Sequence, residues 1–300
     1  MKHTWTLIST SLLITLTTAC NPSATEWGDK VIACGDHDIY IVNTRTSTPD
    51  SLDIEWHWNV SEAKGQIPDE YQNRNRSIDD CKAVDGGKRL LVTSSSHSTL
   101  LLDIATRQCL FYAYTPMAHS ADMLPRNRIV VANSTHPKGN SLELYEVGKS
   151  EQCLWRDSLY SGHGAVWVEK HQSLYALGYQ ELRRYTLVDW DTDTPSLHLE
   201  ETFALPDKSG HELSMVNPDC LLCSAHNHVY LFDLKTHTFK PFEPLFDKGD
   251  IKSANYNDRT GRIIYTQAET SWWTNHIYLT NPDQTLTFSE DFHLYKVRVL

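Results

Sequence analysis

The sequence predicts an all-β fold, a six-bladed β-propeller with four-stranded antiparallel blades, from three observations. A strand recurs six times, as "KVIACG", "RLLVTSS", "RIVVANS", "SLYALG", "CLLCSA" and "RIIYTQA". Hairpin patterns such as "LLLDIATRQCLFYAY" and "VYLFDLKTHTFKPF" recur after it, each with Asp or Asn before a turn that contains Thr. A third segment recurs upstream, and its alignment makes these residues equivalent at spacings of 39 to 48 residues: Asp80, His119, His163, His211 and Lys252. A period of this length with four short strands per repeat is typical of a propeller.

The chain ends predict how the ring closes. The first blade, around residues 27 to 60, lacks an inner strand, whereas "FHLYKVRVL" at residues 292 to 300 is left over after the sixth blade. We therefore expect the C-terminal strand to join blade 1 and remove the exposed sheet edges. The predicted domains are a signal peptide at 1–20, a tether at 21–26 and the propeller at 27–300.

Composition excludes one class of function. The 300 residues are 40% hydrophobic and carry a formal net charge of -11, whereas a general nucleic-acid binder needs a basic field. No feature specifies an oligomer, and a closed propeller needs none. We therefore expect a monomer without a nucleic-acid partner.

The N-terminus indicates export. A basic start at Lys2 and a short apolar stretch, residues 7 to 16, lead to "LTTAC", which ends at Cys20. This segment resembles the lipobox of bacterial lipoproteins, which implies lipidation of Cys20 and a periplasmic or outer-membrane location in the cell envelope. The membrane would then be contacted through the lipid anchor only. The alternative is a plain secretory signal with an incidental cysteine.

The later cysteines leave disulfide pairing open, because six cysteines allow fifteen full pairings. Cys220 and Cys223 form a CxxC motif, but residues three apart in a strand point to opposite faces. We therefore interpret these two as structural cysteines and not as a zinc or redox site.

The first strand of each propeller blade lines the central channel, so residues at its start should meet at the channel mouth. His119, His163 and His211 come from three adjacent blades at that level, and we expect them to converge. Side chains of the neighbouring blades should extend this group: Lys252, Asp80, Lys82, Tyr295, Lys296 and Arg298.

Loops that open on the same face add further candidates. The incoming loop at residues 61 to 77 contributes Arg74 and Arg76, and Trp272 with Trp273 could form a stacking platform for a sugar ring. At most one of these two tryptophans should be exposed. The turn "HNH" at residues 226 to 228 is interpreted as a solvated turn.

Three interpretations of the histidines remain open. Three neutral imidazoles with an open fourth position suit a divalent metal such as Mn, Zn or Ca. Alternatively, one histidine accepts a proton while Lys and Arg hold an anionic substrate. The third interpretation is purely structural, with hydrogen bonds to loops or water.

Several motifs together resemble a known family. The combination of "HSADMLP", "GHGAVW", "GHELS", "IKSANY" and "YKVRVL" is similar to a family of uncharacterised six-bladed propeller lipoproteins from gut-type bacteria, over residues 27 to 300. More distantly, "HSADMLPRNRIVV" resembles the segment around the active histidine of propeller arylsulfotransferases. The histidine-lined channel also resembles those of oligogalacturonate lyases and peptidyl-hydroxyglycine lyases in architecture. The family implies fold and location, but no activity.

The resulting functional hypothesis is an envelope-anchored propeller that binds an anionic carbohydrate, a uronate or sulfated glycan fragment. If it is an enzyme, lyase chemistry is the most natural, with a histidine as base and a metal or Lys252 and Arg298 stabilising the developing charge. The alternative is a non-catalytic scaffold that presents its face to a glycan or a protein.

Overall fold

The computed structural model describes Met1 and residues 26 to 300. Residues 2 to 20 of the predicted signal peptide, Cys20 included, and residues 21 to 25 of the predicted tether lie outside the described residues. The described chain forms six four-stranded antiparallel sheets, and the predicted six-bladed propeller is confirmed. Each blade follows chain order from its inner to its outer strand, except the first.

The strands of the first three blades have these bounds: β1 (Lys30–Gly35), β2 (Asp38–Thr48) and β3 (Ser51–Asn59); β4 (Ile78–Val84), β5 (Arg89–Ser94), β6 (Ser98–Asp103) and β7 (Cys109–Ala113); β8 (Ala118–Leu124), β9 (Arg128–Asn133), β10 (Ser141–Glu146) and β11 (Trp155–Ser158). The other strands are β12 (Gly164–Val168), β13 (Ser173–Leu177), β14 (Glu181–Val188) and β15 (Ser196–Ala204); β16 (Glu212–Asn217), β17 (Cys220–Ser224), β18 (Val229–Asp233) and β19 (Thr238–Pro241); β20 (Ile251–Tyr256), β21 (Ile263–Gln267), β22 (His276–Leu279) and β23 (Gln284–Thr287); and β24 (Leu294–Val299).

Helical segments are short and lie between strands. Between residues 26 and 300 they are one α-helix, α1 (Glu70–Arg74), and 3-10 turns at Val60–Ala63, Glu169–His171 and Glu243–Leu245. Helix α1 belongs to the long connection from blade 1 to blade 2. No helix within residues 26 to 300 is long and apolar enough to cross a membrane.

Ring closure takes place in blade 1, as predicted. Strand β24 pairs antiparallel with β1, with Val31 opposite Val299 and Cys34 opposite Lys296. The last strand of the chain is therefore the inner strand of the first blade, and the ring has no unpaired inner edge.

Apolar side chains from neighbouring blades pack against each other and hold the ring together. Between blades 4 and 5, for example, Val166 and Tyr175 pack in one cluster with Leu213 and Phe232. Gly164 permits a close approach there, because a Cβ at this position would lie 2.5 Å from the Leu213 Cβ. The six cysteines between residues 26 and 300 are free thiols, so no pairing joins the blades there.

Candidate functional site

The inner strands carry one titratable residue per blade at the same mouth of the channel. In four blades this residue is the extra residue of a β-bulge: Asp79 in β4, His119 in β8, Lys252 in β20 and Tyr295 in β24. In the other two blades His163 and His211 precede their strands, with their N–H groups 2.9 Å from the carbonyl oxygens of Leu177 and Ser224. We call these six residues the channel ring.

The bulge corrects the alignment of blade 2. The sequence made Asp80 equivalent to His119, but the strand register places Asp79 at that level. Asp80 pairs one step further along the strand, at the level of Ser120, whose hydroxyl donates to Asp80 Oδ2 at 3.1 Å. Asp79 is therefore a ring member that the sequence analysis missed.

The three predicted histidines do converge. The ring centroids of His119 and His163 are 4.4 Å apart, and those of His163 and His211 are 5.4 Å apart. Tyr295 lies with its centroid 6.0 Å from that of His119, and the Lys252 ammonium lies 3.2 Å from His211 Nε2. Tyr295, the three histidines and Lys252 thus form a contiguous polar row, and most members of the channel ring are buried.

Hydrogen bonds fix the orientation of two of these imidazoles. Nδ1 of His119 lies 2.9 Å from the Met117 carbonyl oxygen, and Nδ1 of His163 lies 2.9 Å from that of Ser161. A carbonyl oxygen accepts only, so Nδ1 carries the proton and Nε2 keeps a free lone pair. Metal-binding and proton-accepting histidines are oriented in this way.

Burial keeps the histidines neutral. It lowers the pKa of His119 to about 4, with a further decrease from the positive charges of Lys296 and Lys252. Burial also lowers the pKa of His163 and of His211 well below the ordinary value. These imidazoles are therefore uncharged acceptors at neutral pH, but an imidazole with such a low pKa is a weak base.

Asp79 behaves differently. Burial raises the pKa of its carboxyl to about 7, although the Ser95 N–H donates to this carboxyl and Lys296 lies nearby. A group that titrates near neutrality is suited to proton transfer, because both protonation states are populated. Asp79 is the best candidate base of the channel ring.

Below the channel ring, a buried ion-pair layer fills the channel. The Arg298 guanidinium donates to both carboxylate oxygens of Asp80, at 2.7 and 2.8 Å, and also to Glu212. The Lys296 ammonium lies 3.2 Å from Glu212 and also donates to the carbonyl oxygens of His163 and His211. Two cations thus face two carboxylates.

This layer changes the interpretation of two predicted ligand-binding residues. Burial alone would raise the pKa of Asp80, but the charges of Arg298, Lys296 and Lys82 outweigh that effect and hold this pKa well below its usual range. Arg298 and Asp80 neutralise each other inside the channel. Together with Glu212 they join three of the six inner strands, β24, β4 and β16, and a ligand at the mouth would meet the channel ring first.

Lys82 lies near the opposite mouth of the channel. It is three residues beyond Asp79, which at about 3.3 Å per residue corresponds to about 10 Å along the strand. Its ammonium donates to the Ala165 carbonyl oxygen at 2.6 Å. It lines a cavity of about 270 Å³ with Asp122, Trp167 and Met215. The structure thus separates Lys82 from the histidines.

The two tryptophans of the predicted platform lie in different environments near the mouth of the channel ring. Trp272 is 42% exposed, and its ring centroid lies 5.8 Å from that of Tyr295. Trp273 is partly buried and packs on His293, with ring centroids 4.1 Å apart. One tryptophan of the pair is exposed, as expected.

Arg74 lies further out, in the loop region that also carries α1. Its guanidinium stacks on the rings of Tyr71 and Tyr114, 4.8 and 4.9 Å from their centroids. It also lies 3.8 Å from Glu151. Arg74 is thus held by its neighbours near the channel ring and is not a member of it.

A candidate metal site differs from the predicted one. Ligand atoms of His211, His226 and Asp250 lie within 4.8 Å of one another, the one such group found in the described part of the chain. It shares only His211 with the predicted set of His119, His163 and His211. The turn at residues 226 to 228, interpreted from sequence as solvated, therefore contributes a candidate ligand.

Lys252 lies inside this candidate site. Its ammonium is 3.2 Å from His211 Nε2 and 3.3 Å from Asp250 Oδ1, and Asp250 is also 3.5 Å from His226. The lysine already supplies a positive charge to two of the three ligand atoms, so a metal ion would have to displace it. Two imidazoles and a carboxylate suit Zn or Mn better than Ca, which prefers an all-oxygen shell.

Fold and site define a six-bladed β-propeller with a ring of titratable residues at one channel mouth. The chain belongs to the family of unknown function DUF6528, whose profile matches residues 31 to 300. No curated protein matches the chain.

Proposed function

We propose that this protein is an envelope-anchored propeller, lipidated at Cys20, that binds an anionic glycan fragment at the channel ring. The observation that carries the proposal is the position of Trp272, exposed beside Tyr295 and directly next to a buried ring of polar groups. An aromatic face beside a polar cleft suits a sugar, whose ring stacks while its polar groups enter the cleft.

The charge balance favours an anionic group in the cleft. Lys252 is the cation of the channel ring, with Asp250 3.3 Å away at its outer side, whereas Lys296 just below is already paired with Glu212. The three histidines are neutral, so they add no repulsion, and Tyr295 lies among them. A uronate carboxylate would therefore meet the Lys252 ammonium and polar partners that are themselves largely buried, where such contacts are strong.

Binding is tested by titration calorimetry of galacturonate oligosaccharides against matched neutral galactose oligosaccharides. The protein should begin after Cys20 and carry no polyhistidine tag. We expect Trp272→Ala and Lys252→Met each to weaken binding about tenfold or more, the typical loss of a hot-spot aromatic or a charge-assisted contact. Met215→Ala, a half-exposed residue near the opposite mouth, is the matched control and should change nothing. Equal affinity for charged and neutral sugars would contradict the proposal.

Lyase activity is the enzymatic version of this proposal. Asp79 would remove the proton on the carbon next to the uronate carboxylate, because its carboxyl has a pKa of about 7, whereas the histidines are weak bases. The freed electron pair would form a C=C bond as the glycosidic C–O bond breaks, and the leaving oxygen would take up a proton from water. Lys252 would stabilise the charge that develops on the substrate. A broad panel of uronate oligosaccharides should then yield an unsaturated product that absorbs in the ultraviolet, and this absorbance should not increase with Asp79→Asn. If no oligosaccharide of the panel gives this absorbance, the lyase version is wrong and only the binding proposal remains.

A metal-assisted version rests on His211, His226 and Asp250. Elemental mass spectrometry of the tag-free protein, after incubation with Zn, Mn and Ca, should find near-stoichiometric metal that His226→Ala removes. His37→Ala, an exposed histidine in the corresponding turn of blade 1, is the matched control. No metal in the unchanged protein would leave direct binding of the anion by Lys252.

The scaffold alternative predicts another pattern. A scaffold should tolerate His163→Ala without loss of partner binding and should depend more strongly on the outer residues Trp272 and Arg74. We expect the protein to act as a monomer in either case.

A further inference from the structure

A second pocket lies beside the channel ring, between α1 and the turn that joins β5 to β6. Its volume is about 520 Å³. It is lined by Asn73, Arg74, Arg76, Ser95, Ser96, His97 and Met117, with no carboxylate among them. In a protein with a net charge of -11, a pocket lined by two arginines and a histidine is an unusual concentration of donors.

Arg76 is available to a ligand. It is exposed, and no hydrogen bond or ion pair joins its side chain to any residue between 26 and 300. Its backbone is firmly held, because the neighbouring Asn75 is fully buried and bonds the Tyr71 carbonyl oxygen and the Ser98 hydroxyl, at 2.8 and 2.6 Å. The Arg76 guanidinium is therefore free to bind a ligand, while the backbone that carries it is held in place.

His97 faces the same pocket in a fixed orientation. The Met117 N–H donates to His97 Nδ1 at 3.1 Å, so the proton of the neutral ring is on Nε2. His97 has a φ of 84°, in the left-handed region that few residues other than glycine adopt. Burial lowers the pKa of His97, and the neighbouring His136, Arg74 and Arg76 lower it further. The ring is therefore a neutral donor in a positive field.

Met117 connects this pocket to the channel ring. Its N–H bonds His97, while its carbonyl oxygen accepts from His119 Nδ1 at 2.9 Å. Met117 thus bonds both the pocket residue His97 and the ring residue His119, so the two sites are neighbours.

We propose that this pocket, the arginine pocket, binds the sulfate ester of a glycan whose uronate carboxylate lies at the channel ring. The inference rests on the proposed function. Donors converge from two segments of the chain, with the free guanidinium of Arg76 on one side and His97 on the other, while Arg74, stacked on Tyr71 and Tyr114 and 3.8 Å from Glu151, adds positive charge to the wall. A sulfate ester offers three terminal oxygens to them, whereas a carboxylate offers two. Arginine forks match such tetrahedral oxyanions.

The test compares two disaccharides that share the uronate and differ in the sulfate, unsulfated chondroitin disaccharide and its 6-sulfated form. We expect the sulfated form to bind about tenfold tighter or more to the unchanged protein, the gain expected for a charge-assisted contact. Arg76→Gln should remove most of this gain and leave the affinity for the unsulfated form within about twofold. Arg259→Gln, an exposed arginine in the turn after β20, is the matched control. Equal affinity of the unchanged protein for both disaccharides would overturn the inference.

A second measurement separates this inference from the proposed function. Inorganic sulfate and inorganic phosphate are titrated while the ring resonances of His97 are followed by NMR, assigned through His97→Gln. If no disaccharide binds, the proposed function fails, but a saturable shift of His97 that is lost with Arg76→Gln still supports an oxyanion site. The relative affinity of the two ions distinguishes a sulfate site from a phosphate site. No shift with either ion would overturn the arginine pocket altogether.

Discussion

Replacing Asp79 by Asn should stabilise the protein at alkaline pH. Its carboxyl is fully buried in the channel ring, and burial raises its pKa to about 7 from an ordinary 3.8. The folded state therefore favours the protonated carboxyl. The stability cost of Asp79 begins as the pH rises above about 4, grows to pH 7 and is complete above that value. Asparagine stays neutral and keeps an oxygen for the Ser95 N–H.

The magnitude follows from the pKa difference. About three units, at 1.36 kcal/mol per unit, correspond to about 4 kcal/mol above pH 7, an order-of-magnitude figure. Residual structure in the unfolded chain and local relaxation lower this value, so we expect a gain of about 2–4 kcal/mol at pH 8. The gain should decrease towards zero near pH 4.

The neighbouring carboxylate provides a matched control with the opposite sign. Asp80 is also buried, but it accepts two hydrogen bonds from Arg298. Asp80→Asn removes one of the two carboxylates that neutralise the buried Arg298 and Lys296, and should destabilise the protein by about 3–5 kcal/mol at pH 8. Two adjacent Asp→Asn changes on one strand should therefore shift stability in opposite directions.

The assay is urea unfolding followed by tryptophan fluorescence at pH 4, 6 and 8, on protein that begins after Cys20. The difference in midpoint between Asp79→Asn and the unchanged protein should grow with pH. A difference that is the same at every pH, or a loss of stability at pH 8, would refute the argument from burial.

Three further predictions concern the metal site, the ion-pair layer and blade packing. Lys252→Met should tighten zinc binding at least tenfold by removing the competing ammonium, as measured by calorimetry; unchanged affinity would contradict the competition. Arg298→Met should destabilise the protein by about 3–5 kcal/mol, because it leaves Asp80 buried without its main partner; an unaltered melting temperature would count against the ion-pair layer. Gly164→Ala should cost about 1–3 kcal/mol in the same melting experiment, since its Cβ would overlap Leu213; a neutral effect would show that blades 4 and 5 adjust freely.

Much of the fold could be predicted from the sequence because each blade repeats its own local pattern. Strand and hairpin signals recur at a regular spacing, and the unpaired strand at the C-terminus has one place where it can pair. The convergence of His119, His163 and His211 was predicted for the same reason, since equivalent positions of equivalent blades meet around the axis.

Which side chains reach the site depends on the register of the strands within each blade, and a repeating sequence pattern does not specify that register. A bulge inserts one residue and changes which side chain reaches the channel mouth, so Asp79 and not Asp80 lies beside the histidines. The distance of Lys82 from the channel mouth could have been predicted from the rise per residue in a strand. The sequence analysis placed Lys82 at the mouth because it did not take that rise into account.

The sequence by itself determined the blade number, the closing strand and the mouth at which the histidines meet, because these follow from local periodicity and chain order. Only the tertiary structure determined which charged side chains form ion pairs with each other. Arg298 pairs with Asp80 and Glu212, which lie 218 and 86 positions away in the chain. His226, in a turn of blade 5, lies near His211 at the start of the same blade and near Asp250 at the start of blade 6. Such contacts depend on distances across the channel, which no local pattern in the chain encodes.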